Sequence, residues 1–171
     1  MSREIRPYVL AAQSFMMGST NFVLVGLPAG WKAGKGPFPP EVDRRVERGE
    51  ASWAVEGQAS FELQGPLATG EKARGLLRLY VGAGEGGKVP GAFRLARVDG
   101  EDRLLLGGHE GVFRWGWVRT GLGPWASFIP AATWTAFCPA TGRWLHLLVE
   151  SSRAEAVDEV ARAVAEYWRC H

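Results

Sequence analysis

The chain has 171 residues, 46% of them hydrophobic and 22% charged, with a formal net charge of +2. That length supports one domain, 1–171, with a core of its own, and that composition excludes a disordered chain. The small net charge makes nucleic acid or an anionic membrane an unexpected partner.

The basic residues are sixteen Arg against four Lys, with only one Asn and three Gln. Few thermolabile amides beside many Arg, Glu and Val fit a heat-adapted source, although a GC-rich genome gives the same bias. No segment reaches the ~18 uncharged apolar residues of a membrane span. The apolar stretch near the N-terminus carries Glu4 and runs straight into strand-like sequence, so a signal peptide is not expected. The reading is a cytoplasmic protein.

Along the chain, residues 8–13 and 22–27 read as short strands ended by Gly or Pro. Four prolines and three glycines exclude helix from the loop 28–40. Residues 41–48 offer a turn or two of helix. Residues 52–64 alternate as a strand, with a bend or bulge at Gly57. Strands at 75–81 and 92–98 follow, joined by GAGEGGKVPG. Asp99-Gly100 reads as a hairpin turn into 103–106. Three longer strands come next, near 110–119, 127–137 and 143–149.

The last element is a helix, 153–170. Ser152 and Glu155 have capping-box spacing. Val157, Val160, Ala161, Val164 and Trp168 form an apolar stripe. The expected fold class is therefore α+β: a central, mostly antiparallel sheet flanked by helices, with an amphipathic C-terminal helix. Strand 143–149 is apolar on both alternating faces, so it belongs in the middle of the sheet, covered on both sides by helices or a second subunit.

The run 107–150 holds five of the eight Trp, two of the three His and one of the two Cys. On strand 112–119, Phe113, Trp115, Trp117 and Arg119 share one face, and Arg114 lies on the other. Such a face is core, ligand platform or partner surface; Arg and Trp are frequent interface hot spots. His109 and Glu110 at the strand's start are a candidate acid–base pair, against a hydrogen-bonded structural histidine. His109, Glu110, Phe113, Arg114, Trp115, Trp117, Arg119 and Trp134 are the candidate binding residues.

Three motifs fail. The GxGxxG at 82–87 is followed by Pro90 and Gly91 and another strand, not by the helix a dinucleotide needs. The loop 65–72 has one residue too many for a phosphate loop, and Glu71 sits where phosphate would. Cys138, His146, Cys170 and His171 show no known ligand spacing. No metal, cofactor or catalytic residue is expected.

The cysteines suggest a disulfide instead. A last strand of about 26 Å and a returning helix of about 27 Å bring Cys170 back to Cys138. Heat-loving prokaryotes keep such bonds in the cytosol; two unpaired thiols are the alternative.

Leu27-Pro28-Ala29-Gly30-Trp31 has the pattern "LPxGW". It is followed by alternating strands, by "GHEG" at 108–111, by Thr141-Gly142-Arg143, by an apolar strand, and by Glu150-Ser151-Ser152 before the helix. This order resembles the α/β/α sandwich superfamily of the photosystem II extrinsic subunit PsbP and the Ran-binding nuclear import factor. The resemblance implies a sheet flanked by helices and a non-enzymatic binding role. It carries over no site residue, because the superfamily shares no common site.

The functional expectation is a non-catalytic binding or protein-interaction module that self-associates as a homodimer. The alternative is a carrier of small apolar or lipid-like ligands with a Trp-lined pocket. A cofactor-independent enzyme built on His109 and Glu110 comes third.

Overall fold

The computed structural model describes residues 4–13, 20–35, 57–83 and 88–171. Within them, strands β1 (Ile5–Gln13), β2 (Thr20–Pro28), β3 (Lys32–Lys35), β4 (Gly57–Pro66), β5 (Lys72–Ala83), β6 (Arg97–Leu106), β7 (His109–Thr120), β8 (Ser127–Cys138) and β9 (Arg143–Glu150) precede one helix, α1 (Ala154–Val164). The strands form one antiparallel sheet in the order β2-β1-β4-β5-β9-β8-β7-β6, and β3 pairs with β4. The expected helix at 41–48 and the start of the expected strand at 52–64 lie outside the described residues.

β9 sits between β5 and β8, and residues 145–150 are buried, as its two-sided apolar pattern requires. Its two faces are covered differently. On one side Leu145, Leu147 and Val149 meet Leu77, Leu79, Trp134 and the α1 residues Val157, Val160 and Val164 in the main core. The sheet curls so far that α1 touches both β2, at the sheet edge, and β8. On the other side there is no helix among the described residues. The connection 88–96 lies across the strands instead, with Phe93 fully buried against Tyr80. Arg78 holds this strap through Nη1 to the Ala92 carbonyl at 2.8 Å and Nη2 to Glu150 at 3.2 Å. Among the described residues, the helix-flanked sheet is thus corrected to a sheet with one helix on one face.

Further corrections follow from local chemistry. Residues 92–98 are not one strand: Pro90-Gly91 starts a 3-10 turn, Gly91–Phe93, and β6 begins only at Arg97. Asp99-Gly100 is not a hairpin turn but a bulge within β6. The turn is Gly107-Gly108, whose φ values of 61° and 88° favour glycine. The loop 28–40 contains the short strand β3. The helix starts without the expected capping box: Arg153 is the N-cap and has no side-chain cap. Ser151 does the local work, its Oγ accepting from the Arg153 amide at 3.1 Å and donating to the Arg74 carbonyl at 2.6 Å.

The helix ends at Val164, six residues earlier than expected, in a 3-10 turn, Ala165–Tyr167. Trp168, fully buried, then anchors an extended segment. Arg169 exchanges both backbone hydrogen bonds with Leu24 of β2, each 2.9 Å. The segment therefore runs from the β2 edge to the β6–β7 turn, where the Trp168 carbonyl lies against Gly107.

Candidate functional site

Two groups of side chains emerge at the β6–β9 end of the sheet. The first is a cleft of about 1140 Å³ on the face without the helix. The antiparallel register sets its floor: Val112 is opposite Thr135, Arg114 opposite Thr133, and Thr135 opposite His146. The strap supplies Lys88, Val89, Arg94 and Leu95, and β6 supplies Val98, Arg103 and Leu105. Among the described lining residues, Lys88, Arg94, Arg103 and Arg114 face a single carboxylate, Glu110. Arg114 Nε donates to Glu101 at 2.6 Å and Arg94 Nε to the Val89 carbonyl at 2.6 Å, which fixes both guanidinium groups. Leu95, Leu105, Val112, Phe137 and Trp144 give the cleft its apolar wall.

His146 is buried at the floor. Its Nε2 lies 2.6 Å from the Phe93 carbonyl, which can only accept, so Nε2 carries the proton. Nδ1 then accepts from the Thr135 hydroxyl at 2.7 Å. Burial pulls the ring's pKa down to about 4 against the bond to Phe93, with Arg114 and Arg94 assisting. The imidazole is therefore neutral and locked in one tautomer at neutral pH.

The second group is a cluster of His109, Cys138, Cys170 and His171, whose ligand atoms all lie within 4.8 Å of one another. Antiparallel pairing builds half of it: Gly111 is opposite Ala136, so His109 at the start of β7 meets Cys138 at the end of β8. The segment after α1 delivers the rest. His171 Nδ1 lies 3.4 Å from Cys138 Sγ and 3.3 Å from Cys170 Sγ. The His109 and His171 rings are 5.3 Å apart, and His109 Nε2 is buried without a hydrogen-bond partner. Cys138 and Cys170 meet as expected, but as two free thiols rather than a disulfide. Burial pushes the Cys138 thiol up, but hydrogen bonds from Cys170, Thr141 and His171 outweigh it and leave it at about 6. Burial and the neighbouring Cys138 push Cys170 up to about 12. Among the described residues these four are grouped closely enough that they could hold a metal; His146, weighed with the cysteines in the sequence, belongs to the cleft instead.

The expected binding residues divide between the sheet's faces. His109, Glu110 and Arg114 line the cleft. Phe113, Trp115, Trp117 and Trp134 lie on the opposite face: Trp134 is core, its ring tilted against Phe113 with centroids 5.2 Å apart, and Phe113 contacts Trp115 at 5.5 Å. Trp117 is held by Asp99, which accepts from its Nε1 at 2.6 Å, and by Arg97 over its ring. Arg119 is exposed beside the Gly123 carbonyl. The cleft's only tryptophan among the described residues is Trp144, so it is not the Trp-lined pocket anticipated. His109 and Glu110 both reach the cleft, but the His109 ring is gathered with Cys138, Cys170 and His171 rather than paired with Glu110.

Among the described residues, no helix is long and apolar enough to cross a membrane. Comparison with known proteins returned no matching family model, no matching curated protein and no matching solved structure.

Proposed function

We propose that this chain is a non-catalytic binding protein whose cleft takes a small amphipathic anion: an apolar body ending in a carboxylate, sulfonate or phosphate. The observation that carries the reading is the cleft's lining, Lys88, Arg94, Arg103 and Arg114 against Glu110 around an apolar wall, with Arg114 also paired to Glu101. Its volume of about 1140 Å³ suits a ligand at the upper end of the small-molecule range. Arg suits a carboxylate or phosphate because its planar fork binds both oxygens. A floor histidine held neutral and fully hydrogen-bonded fits binding better than proton transfer.

The test is equilibrium titration with anilinonaphthalene sulfonate, an aromatic anion that brightens in apolar sites. The expected result is saturable binding of one dye per chain, weakened about tenfold or more by Arg103→Gln with Arg114→Gln, since a charge-assisted hydrogen bond contributes roughly 1.5–3 kcal/mol. Unchanged affinity in the double variant refutes the cleft as the site.

A second reading, self-association, is favoured by one observation. On the helix side of β7 and β8, Trp115 is 38% exposed and Phe128 55%, and Trp125 in the adjoining loop is 87% exposed. The β6 edge offers a second copy no pairing surface, because Arg97, Asp99, Glu101, Asp102 and Arg103 and a bulge guard it. A dimer would therefore form through the aromatic ridge. Light scattering at micromolar concentration checks this, and a monomeric mass removes it.

A further inference from the structure

We infer that His109, Cys138, Cys170 and His171 form a closed, tetrahedral site for one zinc-class divalent cation, which ties the C-terminal segment to the β7–β8 hairpin. The inference is independent of the cleft reading, since metal uptake and amphiphile binding are separate measurements. Four arguments support it.

The donor set is two sulfurs and two imidazole nitrogens, which selects zinc and its neighbours over hard cations such as calcium or magnesium. The geometry agrees. Zinc–sulfur bonds of about 2.3 Å and zinc–nitrogen bonds of about 2.0–2.1 Å at tetrahedral angles put neighbouring ligand atoms about 3.3–3.8 Å apart. The two sulfur–nitrogen separations of 3.4 and 3.3 Å fall in that range, and all six pairs are within 4.8 Å.

Charge also balances. Two cysteine thiolates cancel a divalent cation and the two imidazoles are neutral, so the filled site has no net charge. That suits a site whose cysteines are buried. On binding, four metal–ligand bonds form, the thiol protons still bound pass to solvent, and no electron is transferred. Finally, the cluster contains an unmet need: His109 Nε2 is buried and has no partner. A metal would use the histidine's lone pair and orient the ring.

With all four positions taken by protein, the metal would be structural. It would join the start of β7, the end of β8 and the segment after α1. His109 also borders the cleft, so the same ion would steady one end of that wall.

The test uses the full chain, stripped with chelator under reductant and titrated with cobalt(II), then zinc. One cobalt per chain is expected, with thiolate-to-cobalt charge-transfer absorption and the visible bands of a tetrahedral ion, displaced by stoichiometric zinc. Cys138→Ser and Cys170→Ser should each abolish the charge-transfer spectrum or weaken it by half. Because buried-cysteine variants can misfold, His171→Ala is the companion variant: its ring is exposed, so the fold should persist. Its cobalt affinity should fall by more than the ~10–100-fold that losing even an outer-shell partner brings. Reduced protein that binds no cobalt with a thiolate band overturns the site, as does His171→Ala binding as tightly as the wild type. A Cys138–Cys170 disulfide that, once reduced, yields thiols without metal uptake also overturns it.

Discussion

His146 offers a quantitative check on the cleft floor. Its ring is buried, donates to the Phe93 carbonyl and accepts from Thr135. An unfolded histidine titrates near 6.5, whereas here the pKa is about 4; that difference of about 2.5, at about 1.4 kcal/mol each, is worth about 3 kcal/mol. The sign follows from proton uptake. Between about pH 6.5 and 4 the unfolded chain binds a proton that the folded ring refuses, so stability falls as the pH drops through that window. Above it both states are neutral and the contribution is fully present. Glu150 acts in the opposite direction, because burial raises its pKa against the pull of Arg78. It is therefore the difference between the wild type and His146→Gln that isolates the ring, since both carry Glu150. Gln keeps a donor for Phe93 and does not titrate. Urea unfolding followed by tryptophan fluorescence, with chelator throughout, should show the wild type losing about 2–3 kcal/mol more than the variant between about pH 7.5 and 4.5. Parallel pH profiles would refute the buried neutral imidazole.

Three other outcomes are expected. Arg78→Met strands the buried Glu150 carboxylate and should lower stability by about 3–5 kcal/mol, with most of it regained on adding Glu150→Gln; a fully stable single variant in urea contradicts the strap's anchor. Gly26→Ala would place a methyl on the Ala163 carbonyl of α1, where β2 and the helix touch backbone to backbone. The resulting overpacking should remove about 1–3 kcal/mol in thermal melts, and an unchanged melting point argues against that approach. Gly100→Ala collides with the Trp115 ring that lies across it; tryptophan emission should shift to the red as the indole swings into solvent, and an unshifted spectrum counts against the ring's placement.

The strands between 110 and 149 were legible because strict alternation, long runs and clear turns coincide there. The two-sided burial of β9 was legible for the same reason. The helix stripe is legible in the sequence, yet the helix's end is not: Trp168 continues the helical spacing but sits buried in the extended segment, held by Arg169 against Leu24. That pairing is tertiary, so no local signal announces it. The strap 88–96 escaped because Phe93 looks like a strand residue until Tyr80 and Arg78 are beneath it.

The candidate site was half legible. Strand and helix lengths point Cys170 back toward Cys138, but the segment after the shorter helix is what brings it there. His109 joins them only through the β7–β8 register, which places the first residue of one hairpin strand beside the last of its partner. Spacing along the chain hides this, because ligands drawn from three elements have no repeat. The cleft's cations, Lys88, Arg94, Arg103 and Arg114, are scattered in sequence and converge only across four segments.

The most direct test of the proposed function is paired calorimetric titration with decanoate and decanol, which share an apolar chain and differ in the anionic end. Binding of decanoate at one per chain, at least about tenfold tighter than decanol, is predicted, with the advantage lost in the Arg103→Gln, Arg114→Gln double variant. Equal binding of the two, or an advantage that survives the double variant, would contradict a cleft built for amphipathic anions.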